Sequence, residues 1–296
     1  MKRAFSCAIF LAIILFLFRG QDFAKPQWMQ LALAEDQGAP IAEPFKWSTR
    51  APGLETTVIS VRYQKVEVDR VFLVRMSPEK YRIRVRYNQI NPKRVEQWRR
   101  DTKAVAVING SYYQETMTPS TPIKSGNQWF GPKGYSSSHG ALVIGDTVSI
   151  LDLAGKSTDE ELANYPDAMV SFPLLIDGQG KVRAKGKSHW LANRSFVGIT
   201  KDGRIIFGAT ERGFFSLRRL GVFLQSLPLE FDAVLNLDGG PVTSLMVQSG
   251  NYQKIVRGTW AINDNTTLPD LVLQRTRWDS QWWRLPIVLT AEPSRP

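Results

Sequence analysis

The sequence predicts an α+β fold of mixed, mostly antiparallel sheets with a few packed helices. Three observations carry that expectation. Tyr81-Arg82-Ile83-Arg84-Val85-Arg86-Tyr87 alternates apolar and charged residues strictly, as a half-buried strand does. Ala104-Val105-Ala106-Val107-Ile108 is a continuous apolar run, as in a strand covered on both faces. Leu217, Leu220, Leu224 and Leu227 fall at helical spacing, with Ser216 as a cap and Pro228 as a stop.

In chain order, Lys2-Arg3 precedes the apolar run Ala4–Phe18, and Ala32-Leu33-Ala34 follows as a small-residue cleavage pattern. The run is short for a membrane span, so residues 1–34 read as a signal peptide or N-terminal anchor. Export to the periplasm or beyond is the expectation, with a membrane tether if the segment is retained. Residues 35–53, with Gly38, Pro40, Pro44 and Pro52, read as a linker, and 54–296 as one domain. Strands are expected at Thr57–Val61, Val71–Val74 and Tyr81–Tyr87. A short helix is expected over Arg94–Arg100. Gln114–Ser138 is rich in Pro, Gly, Ser and Thr and reads as a long loop of the binding type. Strands return at His139–Ile144 and Met169–Ile176, and Thr158 with Glu161 fits a capping box. Gly180 to Ser188 imitates a phosphate-binding loop, but the spacing is one residue too long and a strand, not a helix, follows. Phe196–Ile199 and Ile205–Phe207 flank a hairpin turn, Lys201-Asp202-Gly203-Arg204. A last strand, Ser244–Val247, leads to a turn at Gly250-Asn251. Trp260, Trp278, Trp282 and Trp283 in the tail read as core closure or edge cover.

Composition narrows the chemistry. The 296 residues are 43% hydrophobic, enough for one large core. Net charge is +11, and loss of Met1–Ala34, with four cations against one acid, would lower it by three to +8. Such a surface favours anionic partners. No basic helix or nucleic-acid motif accompanies it, so nucleic acid is not the expected partner. Cys7 is the one cysteine, which excludes disulfides and thiolate metal sites from the domain. His139 and His189 are too few for a histidine-rich two-metal hydrolase. No cofactor is expected; a carboxylate-bound divalent cation such as calcium is the metal the composition still permits. There is no nucleophile elbow around a serine.

The chemistry-bearing stretch is Phe231–Ser244. An apolar run ends at Asn236-Leu237-Asp238-Gly239-Gly240, with Thr243 and Ser244 close behind. Glycines there let a ligand approach the backbone beside Asp238. A tight turn with a solvated aspartate is the competing reading. The stretch resembles the signature of the phosphodiester glycosidase family, which includes the lysosomal uncovering enzyme that removes N-acetylglucosamine from a sugar phosphodiester. Ile108-Asn109-Gly110-Ser111-Tyr112-Tyr113, Phe172-Pro173-Leu174-Leu175 and Asn193–Ile199 fit the family pattern in order. The similarity spans roughly Leu54 to Leu273. Pro241-Val242-Thr243 departs from the further glycine and serine usual after the Gly pair.

The resemblance implies a hydrolase acting on a sugar-1-phosphodiester, with an anionic glycan as substrate. Asp238 would be the carboxylate and Arg194 the phosphate clamp; without the resemblance, Arg194 reads as a surface ion pair. Asn109, Gly110, Tyr112, Asn236, Gly239, Gly240 and Thr243 would line the substrate. Glycosidic cleavage commonly uses two carboxyl groups. Glu115 and Glu211 are both candidates for the second, and the sequence does not choose between them. A phosphodiester leaving group needs less acid assistance and more positive charge on the phosphate. The alternative reading is a non-catalytic glycan-binding or exopolysaccharide-assembly protein using the same cleft.

Overall fold

A computed structural model describes residues 26–33, 38–134, 139–185, 190–263, 273–274 and 284–294. The apolar Ala4–Phe18 segment, the end of the imitation phosphate loop, His189 and Trp278, Trp282 and Trp283 lie outside the described residues. Among the described residues every strand pairing is antiparallel, and four α-helices are present. No described helix is long and apolar enough to cross a membrane.

An eight-stranded sheet forms the centre. Its path runs Ile41–Ala42, Leu54–Tyr63, Val66–Met76, Ile205–Thr210, Ser195–Thr200, Phe231–Asn236, Leu174–Ile176, with Ser48–Ala51 added to Leu54–Tyr63. Both faces are covered. On one, Phe72, Val74, Val197, Phe207 and Leu235 pack against Ile83, Ile108, Leu245 and Leu289 of a second sheet and Leu142 and Met169 of a third. On the other, Ile59, Leu73, Phe196, Ile206 and Val234 meet Leu220, Phe223 and Leu224 of the Leu217–Ser226 helix. Double coverage is why Ser195–Thr200 and Ile205–Thr210 are buried at every position and show no alternation.

The amphipathic helix forms as its sequence dictates. The Ser216 side chain accepts from the Arg219 N–H, and the helix ends just before Pro228. Other expectations shift. Residues 41–42 and 48–51, read as linker, pair with Leu54–Tyr63 and belong to the sheet. Helix Gln27–Leu33 buries Ala32 in the second core, and the Ala32 carbonyl accepts from Arg219 Nη1. The 114–138 loop contains a hairpin, Ile123–Ser125 against Gln128–Phe130. Met169–Ile176 is two strands in two sheets, Asp167–Ser171 and Leu174–Ile176, broken at Phe172-Pro173. Ser157, not Thr158, caps the Thr158–Leu162 helix, without a side-chain bond. Arg84 and Arg86, on the charged face of the alternating Tyr81–Tyr87 strand, pair with Asp167 and Glu292.

Candidate active site

Phe231–Asn236 lies between Ser195–Thr200 and Leu174–Ile176. The chain then leaves this sheet, turns through the 3-10 helix Gly240–Val242, and enters a second sheet as Ser244–Ser249, beside Ala106–Asn109. Asp238 stands at that crossing. Its backbone is held from two directions. The carbonyl accepts from Asn109 Nδ2 and Ser195 Oγ, both at 2.8 Å, and the N–H donates to the Gly110 carbonyl at 3.1 Å. Asn109 also accepts from the Ser244 N–H at 3.0 Å, so its amide staples the two strand ends together. With the main chain fixed, the carboxyl can point in few directions.

Glycine is required around it by close approach. A Cβ on Gly239 would stand 2.9 Å from the Asn193 carbonyl oxygen, and one on Gly258 only 1.9 Å from the Gly240 oxygen. Gly258→Ala is therefore expected to force the Gly240–Val242 turn apart. It should cost stability by about 1–3 kcal/mol and disturb the site, read as a lowered urea midpoint together with lost turnover.

Arg194 is buried and immediately precedes Ser195–Thr200, the strand next to Phe231–Asn236. Its Nε donates to the Phe215 carbonyl at 3.0 Å and Nη2 to the Trp190 carbonyl. The remaining nitrogen, Nη1, faces Gly239, 3.5 Å from where a Cβ there would lie. Burial lowers its pKa to about 10, partly offset by Tyr112 and Asp238, so it stays cationic at neutral pH. Asp238 keeps some contact with solvent, yet the protein around it desolvates the carboxyl and pushes its pKa up to about 7. The Gly239 N–H, donating to Oδ1 at 2.9 Å, and the Arg194 charge pull the other way and only limit the rise. The result is a carboxyl that exchanges its proton near neutrality beside a fixed cation.

Tyr112 stacks on Phe172 with ring centroids 4.3 Å apart and donates to the Phe172 carbonyl. Asn236 is fully buried and donates to the Tyr112 hydroxyl and the same carbonyl; its Oδ1 has no partner among the described residues. Thr243 Oγ1 is likewise buried without a partner. The structure thus gathers Asp238, Gly239 and Gly240 with Arg194, and Tyr112 acts electrostatically on Arg194. Asn109 and Gly110 serve the backbone of Asp238. Glu211 forms an ion pair with Lys254 at 2.8 Å, and Glu115 is exposed in a turn. Neither figures among the charges acting on Asp238. No group of three or more His, Cys, Asp or Glu suited to a metal occurs among the described residues.

Sequence reasoning missed Ser195 as a backbone clamp, and it missed Asp69. Asp69 is fully buried in Val66–Met76 and accepts from the N–H groups of Arg70, Arg212 and Phe214 at 2.7, 2.7 and 3.2 Å. It thereby sets the turn that delivers the Phe215 carbonyl to Arg194. An acid inside an otherwise strand-forming run was the one available signal. Asp69→Ala would strand three backbone donors, that of Phe214 buried and those of Arg70 and Arg212 part-buried. A loss of roughly 3–5 kcal/mol is expected, measured by urea denaturation.

A family model described as phosphodiester glycosidase matches residues 102–269, more than half the chain. The fold is similar to that of a hypothetical protein from Synechocystis, with a TM-score of 0.56 and 17% identity over 86% of this chain; the chain spans 64% of that protein's length. It is similar also to the catalytic domain of zebrafish N-acetylglucosamine-1-phosphodiester alpha-N-acetylglucosaminidase, auto-inhibited by its pro-peptide. There the TM-score is 0.56 and identity 14%, over 86% of this chain and 89% of that one. At such identities the likeness is one of fold. No curated protein matches.

Proposed function

The chain belongs to the phosphodiester glycosidase family, and on that premise we propose that it hydrolyses the sugar–phosphate bond of a sugar-1-phosphodiester in an envelope or extracellular glycan. The observation that carries this reading is the pairing of a near-neutral Asp238 with a buried, cationic Arg194 at one glycine-opened strand end. Arg194 Nη1 takes a phosphate oxygen. Ionised Asp238 accepts a proton from water as the water oxygen bonds the anomeric carbon. The bond from that carbon to the bridging oxygen breaks, and its electron pair stays on the phosphate, whose charge goes from one to two negatives. Charge growth there is what the guanidinium stabilises. No strong acid is needed for this leaving group, which fits a site with one carboxyl acting beside Arg194.

The envelope setting rests on the basic, then apolar, N-terminal segment. Free sugar should appear from one or more members of a panel of sugar-1-phosphodiesters. With the productive substrate, kcat/KM should fall tenfold per pH unit below about 7, because the ionised carboxyl is the active form. Saturable binding of the whole panel with no product over long incubation would return the chain to the glycan-binding reading. A kcat/KM flat between pH 5 and 8 would remove Asp238 from its role.

A further inference from the structure

A hollow of about 460 Å³ opens between the Ile123–Ser125/Gln128–Phe130 hairpin and the Thr158–Leu162 helix. Trp129, Gly131, Pro132, Lys133, Asp159 and Ala163 contribute to its wall. We propose that this hollow is a subsite for a phosphate-bearing pyranose unit of the glycan, separate from the unit that reacts at Asp238. The proposal rests on the anionic-glycan reading of the substrate, but not on the assignment of any catalytic residue.

Trp129 carries most of the case. It is 40% exposed, although tryptophan is the side chain with most to gain from burial. Its neighbour Phe130 does turn inward and meets Tyr87, with ring centroids 4.6 Å apart. Trp129 is also held in place. Lys124, its cross-strand partner, lies with Nζ 5.2 Å from the ring centroid. That ammonium is itself fixed by the carbonyls of Leu162 and Ala163, at 3.2 and 2.7 Å. An exposed indole braced by a buried cation is a preorganised platform, which lowers the ordering cost of a ligand stacking on it.

The polar groups complete a sugar-phosphate site. Lys133 and Asp159 are both exposed, and neither side chain has a hydrogen bond or ion pair among the described residues. An ammonium takes the phosphate; a carboxylate accepts from ring hydroxyls; the indole covers the apolar face of the pyranose. The volume lies within the range of small-molecule sites. Loop 111–121 links this hollow to the candidate active site. A Cβ on Gly131 would lie 2.6 Å from the Thr121 oxygen, so hairpin and loop are in contact there. At the other end Ser120 N–H donates to the carbonyl of Tyr112, whose ring stacks on Phe172.

Affinity electrophoresis of the full chain through gels containing phosphomannan, or neutral mannan, tests this. Wild type and Asp238→Asn should be retarded equally by phosphomannan, and several-fold less by neutral mannan. Trp129→Ala and Lys133→Glu should each weaken the apparent affinity tenfold or more, and Trp129→Phe should restore most of it. A single-sugar phosphodiester should be turned over by Trp129→Ala as by wild type. Should Trp129→Ala fold poorly, the exposed Lys133→Glu decides. The proposal falls if wild type is not retarded, or if Lys133→Glu binds phosphomannan as wild type does. Loss of retardation in Asp238→Asn would also overturn it, by placing the glycan at the catalytic end alone. Absence of turnover with retained, Trp129-dependent retardation would instead sink the hydrolase reading and leave this subsite standing.

Discussion

Asp238→Asn is expected to lose turnover by roughly a thousandfold or more while making the protein more stable at pH 8. The first half follows from the proposed proton transfer: an amide cannot accept the water proton. The second follows from linkage. The folded-state pKa of about 7 lies above the ordinary carboxylate value, so the folded protein holds this proton more tightly than the unfolded chain does. Stability therefore falls as pH rises from about 4 to about 7, and above 7 the wild type carries the full cost of a desolvated charge. Asparagine keeps an oxygen for the Gly239 N–H and carries no charge. After discounting for the residual solvent contact, the gain at pH 8 should be on the order of 1–3 kcal/mol, shrinking to near zero at pH 4. Thermal midpoints of both proteins at pH 4.5 and 8 would read it. A variant no more stable at pH 8 than at pH 4.5, relative to wild type, would show that the carboxyl is not desolvated.

Arg194→Ala is the second large effect, and its sign on stability is opposite. Removing the guanidinium takes away the charge that meets the departing phosphate, a loss of about 10²–10³ in kcat. It also leaves the Phe215 and Trp190 carbonyls without the donor that now serves them, at roughly 1–3 kcal/mol for each that stays buried. Arg194→Lys should rescue little. One ammonium cannot address two carbonyls through Nε and Nη2 while presenting a third nitrogen at Gly239. Kinetics of the lysine variant separate the roles. A lysine enzyme with turnover near wild type would mean that charge alone matters and that the fork geometry is incidental.

Much of the frame was legible before folding. Strict alternation in Tyr81–Tyr87 became a strand, and the apolar run Ala104–Ile108 did so from Ala106, as Ala106–Asn109. The Ser216 cap and the leucine stripe became a helix under the large sheet. These features depend on local conformation and on which face is apolar, and periodicity encodes both. The linker reading of 35–53 fell short where short segments, Ile41–Ala42 and Ser48–Ala51, pair with the strand that follows them, Leu54–Tyr63. So did the unbroken strand at Met169–Ile176, whose halves join different sheets.

At the site the division is sharper. The sequence by itself determined that an acid follows a buried strand and precedes two glycines, and that an arginine lies just ahead of another such strand. Which atoms meet was decided only by the tertiary structure. Asn109 reaches Asp238 across 129 positions and Ser195 across 43. Asp69 acts on the Arg212–Phe214 turn from more than 140 away. A hydrogen bond depends on direction, and desolvation depends on everything packed around a group. Both are properties of the assembled sheets, so the near-neutral carboxyl and the aimed guanidinium exist only once those sheets have closed.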